Sequence, residues 1–334
     1  MANLLLTEAC VRSCPYCFAK KYMDDVEDQS AISKDNLVYV VDFLEKSGIK
    51  HISLLGGEPL IHRNAAEIIE YLIVEHEFDV CVFTSGIMPK GKLEPFANRI
   101  ISIAKKEPGK LTFVVNVNEP RLSKESELTK VYHFLSLLAS FCALSFNIYR
   151  LDYNIDFLSE YILRFGLRRH VRFGIANPIP GSDNQYIDPQ LFKQAKNTLM
   201  HGLKKMNELN IYPGLDCGFP MCMFTDEELG KLYKYTRNGL VFECGPTIDI
   251  GPDLNCWSCF PLSNIKKKPL SDFKNFDELY SYFDGIQQKF RSEVNGIYKE
   301  CDTCRNFEDE LCSGGCLAHI LNTFHREGSI RELL

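Results

Sequence analysis

A chain of 334 residues, 45% hydrophobic and 25% charged, has room for one large domain or two modest ones at roughly 150 residues each. Lys and Arg total 38 against 44 Asp and Glu, a formal charge of −6, which excludes nucleic-acid binding by bulk basic charge. No apolar run approaches the ~18 residues of a membrane span. The opening MANLLLTEACVRSC lacks a basic stretch followed by a long apolar one, so no membrane partner is expected and a cytoplasmic setting is.

The first strand is predicted at residues 3–7, and the loop after it carries Cys10, Cys14 and Cys17 spaced C-x3-C-x2-C, with Tyr16 just before the third. A helix over 33–47 leads to a strand at 51–55 that ends on Gly56-Gly57-Glu58-Pro59. A helix over 64–75 precedes a third strand at 79–84, followed by Ser85 and Gly86. A helix at 92–98, a strand at 111–117 holding Asn116, a helix at 123–140 and a strand at 144–150 ending on Arg150 come next. Helices at 155–165 and 188–209 flank a sixth strand at 171–176. Short apolar runs alternating with segments of helical period are the pattern of βα units around a parallel sheet. Six units are fewer than the eight of a closed barrel, so the predicted fold is α/β, a partial (β/α)6 TIM-like barrel over residues 1–212. Residues 213–334 form a second region, in which Gly, Pro and Cys punctuate short strands over 216–261 and an amphipathic segment spans 276–290.

The 14 cysteines make up about 4% of the chain, short of the roughly 8 to 10% of a disulfide scaffold, and in a reduced setting such clusters bind metal. Cys81 and Cys142 stand alone in apolar runs and read as small buried hydrophobes. Three thiolates on one loop hold three irons of a [4Fe-4S] cluster and leave the fourth iron free for a ligand; the alternatives are an incomplete zinc site or chance. The Gly56-Gly57 pair permits a tight turn and close approach, with Glu58 adding a carboxylate. His51 and His62 have no second ligand nearby and read as ordinary residues. Nine cysteines lie near the end: Cys217, Cys222, Cys244, Cys256, Cys259, Cys301, Cys304, Cys312 and Cys316. The last four, C-x2-C-x7-C-x3-C, taken alone also suit zinc.

CVRSCPYC followed by LLGGEP resembles the radical S-adenosylmethionine (SAM) superfamily. The resemblance implies that Cys10, Cys14 and Cys17 bind the cluster and that its open iron chelates the amine and carboxylate of SAM, the source of a 5′-deoxyadenosyl radical. It places Gly56, Gly57, Glu58 and Pro59 along the methionine end and Tyr16 near the adenine. Thr84, Ser85 and Gly86 match a small polar turn of the family. Asn116 and Asn118 are expected at the ribose, and residues 174–178, Ile175 among them, near adenine. Arg150 pairs either with the SAM carboxylate or in a surface salt bridge.

The stretch from Cys244 onward resembles the SPASM extension of radical SAM enzymes, which carries two auxiliary [4Fe-4S] clusters. That resemblance assigns Cys244, Cys259 and Cys316 to the first, with Cys217 or Cys222 as fourth ligand, and Cys301, Cys304 and Cys312 to the second, about 12 irons in all. Leu254 stands where the family has a turn glycine, and Cys256 is extra. No cysteine follows Cys316, so the second cluster's fourth iron is open, capped by Cys256 or bound by a group such as His319. Where sulfatase-maturing relatives place a basic aspartate this chain has Phe260 or Trp257. Asp216 is then the nearest acid, unless it only forms a turn.

The implied function is oxidative modification of a peptide or protein side chain, by crosslinking or dehydrogenation, with flavodoxin or ferredoxin as reductant steered by Arg12, Lys20 and Lys21. The alternatives are similar chemistry on a small molecule, or a non-catalytic iron-sulfur or zinc scaffold. No leader-binding module precedes the first strand, so a ribosomal peptide is expected to be recognised at the barrel mouth, on the SPASM surface or by a separate protein.

Overall fold

The computed structural model describes residues 2–17, 31–89, 91–237 and 239–326. Lys20 and Lys21 lie outside them. Seven parallel strands alternate with six helices: β1 (Ala2–Thr7), α1 (Lys34–Lys46), β2 (His51–Gly56), α2 (Ala65–Glu70), β3 (Asp79–Thr84), α3 (Leu93–Lys106), β4 (Leu111–Asn116), α4 (Glu125–Leu138), β5 (Cys142–Ile148), α5 (Asp156–Phe165), β6 (His170–Ile175), α6 (Phe192–Glu208) and β7 (Tyr212–Leu215). Sheet neighbours follow chain order from β1 to β7, the arrangement of an open barrel.

The sheet's two faces differ because strand side chains alternate. Leu4, Leu6, Ile52, Leu54, Val80, Val82, Phe113 and Leu144 enter one large core with the helices. The opposite face carries polar side chains at Asn3, Ser53, Thr112, Asn116, Ser145, Asn147 and Arg172, interspersed with Leu5, Leu55, Phe83 and Val114. Helix ends obey local rules. Ser33 caps α1 by accepting from the Asn36 N–H at 3.1 Å, and α5 stops at Gly166 with φ 69°.

After β7 come α7 (Asp226–Tyr235), β8 (Asp249–Ile250), β9 (Asn255–Trp257), β10 (Lys268–Pro269), α8 (Phe276–Glu293), the short α9 (Arg305–Glu308) and α10 (Leu317–Arg326). β8 returns to pair in parallel with β1, Asn3 opposite Asp249, and β9 and β10 extend the sheet as antiparallel strands. The sheet is therefore continuous across residue 212.

Three sequence expectations need correction. The helix expected at 92–98 runs to Lys106, since Ile100 and Ile103 continue its apolar stripe into the core. The fifth strand ends at Ile148, so Arg150 lies in the following loop. β7, Tyr-Pro-Gly-Leu, is an added strand; it sits at the sheet edge, where proline is tolerated.

Candidate active site

Cys10, Cys14 and Cys17 lie in the loop at the C-terminal end of β1, the end at which parallel barrels build their sites. Four neighbouring loops hold this one. From the loop after β2, the Gly57 N–H donates to the Thr7 carbonyl at 2.8 Å and the Glu58 N–H to that of Ala9 at 2.7 Å. A Cβ on Gly57 would stand 2.1 Å from the Ala9 oxygen, and one on Gly56, at φ +142°, 2.2 Å from the Thr7 oxygen. Both positions thus require glycine because the cysteine loop itself comes so close.

From the loop after β4, Asn118 Oδ1 accepts from the Tyr16 hydroxyl at 2.6 Å, and Asn116 Nδ2, at the end of β4, donates to the Tyr16 hydroxyl oxygen at 2.9 Å. Asn147 Nδ2, on β5, donates to Asn116 Oδ1 at 3.0 Å, and the Tyr149 ring packs on Tyr16 at 4.8 Å. From the loop after β6, the Gln185 N–H donates to the Pro15 carbonyl at 2.8 Å. Burial, and then the charge of Cys14, hold the Tyr16 phenol well above its ordinary value, so it stays protonated and donating.

Glu58 is buried at 1% exposure. Its Oε1 accepts from the Thr84 hydroxyl at 2.6 Å and the Leu60 N–H at 3.2 Å; its Oε2 accepts from the Ser85 N–H at 2.7 Å and from the Ser85 hydroxyl. Burial raises the Glu58 carboxyl, while those donors pull it down. The Cys10 thiol is likewise raised by burial, with Glu58 nearby adding to it.

Arg150 sits in an ion-pair cluster, reaching Glu119 at 3.3 Å and Asp152 at 3.2 Å, the salt bridge of the two alternatives. Glu119, 3% exposed, also binds Arg121 at 2.8 Å; nothing in its sequence context had marked it. Arg12 points inward, its side chain 5% exposed, donating to the Asn116 carbonyl at 3.1 Å and to Glu127 at 3.3 Å. It secures the loop and offers no surface charge for steering. Asp216 is paired with Arg172, which lies over the Phe83 ring at 5.1 Å. Ile175 is buried, and its carbonyl accepts from Asn177 Nδ2 at 3.1 Å. His51 meets Asp79 at 3.1 Å on the surface; His62 accepts from the Asn64 N–H at 3.2 Å. Burial raises the Cys81 and Cys142 thiols to about 11 and about 12; Cys142 is an inert core cysteine, whereas Cys81 is half-buried on the sheet face opposite the core.

The C-terminal thiols fall into two groups. Cys217, Cys244, Cys259 and Cys316 interact with one another. A hydrogen bond between Cys316 and Cys244, with the nearby Arg291 guanidinium, lowers the Cys244 thiol; the same hydrogen bond and burial raise that of Cys316. The second group is Cys222 with Cys301, Cys304 and Cys312: burial first, and then those three thiols, push Cys222 up to about 11. Cys217 and Cys222 are both exposed to solvent. Among the described residues no three Cys, His, Asp or Glu side chains close on a single-ion site; a four-iron cluster spreads its sulfurs wider than one ion does. Cys256 stays apart, fully buried on β9. Trp257 and Phe260 pack with Leu5 against Cys17 and Leu55, so an apolar wall joins the N-terminal loop to the Cys259 turn. Leu254 takes φ 66°, the left-handed conformation that glycine would otherwise supply.

Residues 4–125 match the family described as the Radical SAM superfamily. Residues 4–125 thus carry a radical SAM domain. A stretch of 94 residues is 32% identical to GTP 3′,8-cyclase of Clostridium perfringens, covering 28% of this chain and 29% of that protein; the match spans under a third of the relative's length. Two solved radical SAM folds superpose over nearly the whole chain. SuiB of Streptococcus suis bound to S-adenosylmethionine has a TM-score of 0.66 at 14% identity, covering 96% of this chain and 73% of SuiB, and it is also known bound to the precursor peptide SuiA. Native anSMEcpe with bound AdoMet has a TM-score of 0.65 at 15% identity, covering 100% and 97%, and is known with the Cp18Cys peptide as well. At such identities the likeness is one of fold, here a partial barrel with a cysteine-rich C-terminal region. No helix among the described residues is long and apolar enough to cross a membrane.

Proposed function

We propose that this radical SAM enzyme oxidatively modifies a side chain of a peptide or protein, forming a crosslink or a dehydrogenated residue. In this reading residues 1–212 are the radical SAM barrel and 213–334 a SPASM domain with two auxiliary [4Fe-4S] clusters. The observation that carries it is the contrast between an N-terminal loop with three thiols and C-terminal thiols gathered by fours. Three thiolates suit a cluster with one iron left for a ligand, and four a cluster closed by protein. When bound there, the cluster and S-adenosylmethionine supply a 5′-deoxyadenosyl radical that takes hydrogen from the substrate.

The chain's own residues position and shield. Cys10, Cys14 and Cys17 would hold the catalytic cluster, and Gly56, Gly57, Glu58 and Pro59 would border the methionine end of SAM. Glu58, fixed by four donors, sets the height of that turn. Tyr16, Asn116 and Asn147 form one chain of hydrogen bonds beneath the loop, beside the expected ribose. Ser85 acts through Glu58, and Arg150 through Glu119, as supports. The apolar wall of Leu5, Trp257 and Phe260 packs between the Cys17 loop and the Cys259 turn, where it would separate the catalytic cluster from the first auxiliary one.

A peptide substrate is supported by the two folds solved with peptides, and reduced thiols in such number suit the cytoplasm and a flavodoxin or ferredoxin reductant. The test is mass spectrometry of a candidate peptide encoded beside this gene, incubated anaerobically with the enzyme, SAM and reductant. Loss of about two mass units, the two hydrogens of an oxidative bond, is expected. The partial match to GTP 3′,8-cyclase supports a second reading, a small-molecule substrate; a product from a nucleotide or alcohol pool and none from peptides would favour it. A non-catalytic scaffold would show no SAM binding by calorimetry.

A further inference from the structure

The structure brings an upstream cysteine, Cys222, to the second auxiliary set. Cys222 sits in a single turn, Met221–Met223, between β7 and α7. Met221 lines the same cleft as Glu310 and Leu311, the residues just ahead of Cys312. Cys301 lies in the turn Lys299–Thr303, and Cys304 and Cys312 bracket the short helix α9. The Tyr298 hydroxyl donates to the Pro189 carbonyl at 2.6 Å and stands beside both Cys222 and Cys301. Glycines fit the backbone closely around this group: a Cβ on Gly296 would lie 2.4 Å from Cys301 Sγ, and one on Gly314 2.3 Å from the Asn295 oxygen.

The other two candidates are placed elsewhere. Cys256 belongs to the main core, with its thiol directed to the Leu254 carbonyl at 3.9 Å and its charged neighbours Asp253 and Asp249. His319 is buried between the rings of Tyr186 at 5.4 Å and Phe192 at 5.8 Å. Cys217 belongs with Cys244, Cys259 and Cys316.

Resting on the two-cluster reading above, we infer that Cys222 is the fourth protein ligand of the second auxiliary cluster, with Cys301, Cys304 and Cys312, and that Cys217 completes the first. The second cluster is then closed. Each iron has a thiolate, none is free to bind substrate, and its role is confined to passing electrons. This fourth ligand comes from the junction between barrel and C-terminal region, so the cluster ties the two together.

The test is iron content and electron paramagnetic resonance of anaerobically reconstituted full-length protein, with SAM covering the catalytic iron and cyanide as an external ligand. Wild-type protein is expected to hold about 12 irons, with auxiliary signals unmoved by cyanide. Cys222→Ala is expected either to lose about four irons or to keep them with a signal that cyanide shifts. Continued formation of 5′-deoxyadenosine shows that the variant is folded. Cys256→Ala is expected to match wild type in both readouts. Full iron and a cyanide-insensitive spectrum in Cys222→Ala would overturn the ligand assignment alone. About eight irons or fewer in wild-type protein would overturn it together with the two-cluster reading.

Discussion

The N–H of Glu58 donates to the carbonyl of Ala9 at 2.7 Å, which fixes the turn after β2 to the residue immediately before Cys10. A methyl group on Gly57 would fall 2.1 Å from that oxygen, so the two loops cannot both keep their places. Gly57→Ala is expected to lose about four irons and SAM binding while the auxiliary clusters remain. Iron analysis and calorimetry check this, and wild-type values in both would show that the contact is dispensable.

Cys14→Ala and Cys17→Ala each remove one of only three thiols on the loop. Neither variant is expected to form 5′-deoxyadenosine from SAM and dithionite, a loss of at least 100-fold on the order expected when a transition state loses its cofactor's anchorage. Chromatography of the quenched reaction checks it; turnover near wild type would remove the catalytic assignment.

Tyr16→Phe deletes one hydroxyl and leaves two amides, Asn116 Nδ2 and Asn118 Oδ1, without that partner. An unsatisfied buried polar group costs about 1 to 3 kcal/mol, and destabilisation in that range is expected in anaerobic urea unfolding. A change below about 0.5 kcal/mol, the scatter of ordinary surface substitutions, would mean that water replaces the hydroxyl.

Asp249 is fully enclosed beside β1, and its Oδ1 accepts from Asn3 at 2.7 Å. Burial raises its carboxyl from near 3.8 to about 7. The folded state then holds this proton more tightly than the unfolded chain, so the associated stability is full below the ordinary value and is lost as pH rises through about 7. At 1.36 kcal/mol per unit, the whole effect is about 4 kcal/mol, of which about 1.4 falls between about pH 6 and pH 8. Asp249→Asn is expected to flatten that slope in denaturant titrations; an unchanged slope would assign it to another group.

The six βα units were legible because each strand is a compact apolar run and each helix repeats with its own period. β7 was not, since Pro213 and Gly214 disguise an edge strand. The cysteine loop and the GGEP turn stood out through their resemblance to the radical SAM pattern. Their supports did not: Asn116 stood out as polar among Val and Phe, yet its partners, Tyr16 and Asn147, come from the cysteine loop and from β5. Glu119 and Arg12 look like surface charges in the sequence and become buried only when neighbouring loops fold over them. The grouping of Cys222 with Cys301 was hidden for the same reason, because long-range proximity has no local signal. Leu254 shows the converse, a turn that keeps its left-handed geometry after losing its glycine, at a cost of roughly 1 to 2 kcal/mol.

The pairing of β8 with β1 sets an order on biosynthesis. Asn3 and Asp249 are 246 positions apart, and at about 5 to 20 residues per second the ribosome needs tens of seconds to deliver the second after the first. Throughout that interval the outer edge of β1 presents unpaired backbone groups, the kind of edge that recruits foreign strands. A nascent chain halted before residue 249 would keep that edge open indefinitely, and with it the strand that leads into the cysteine loop.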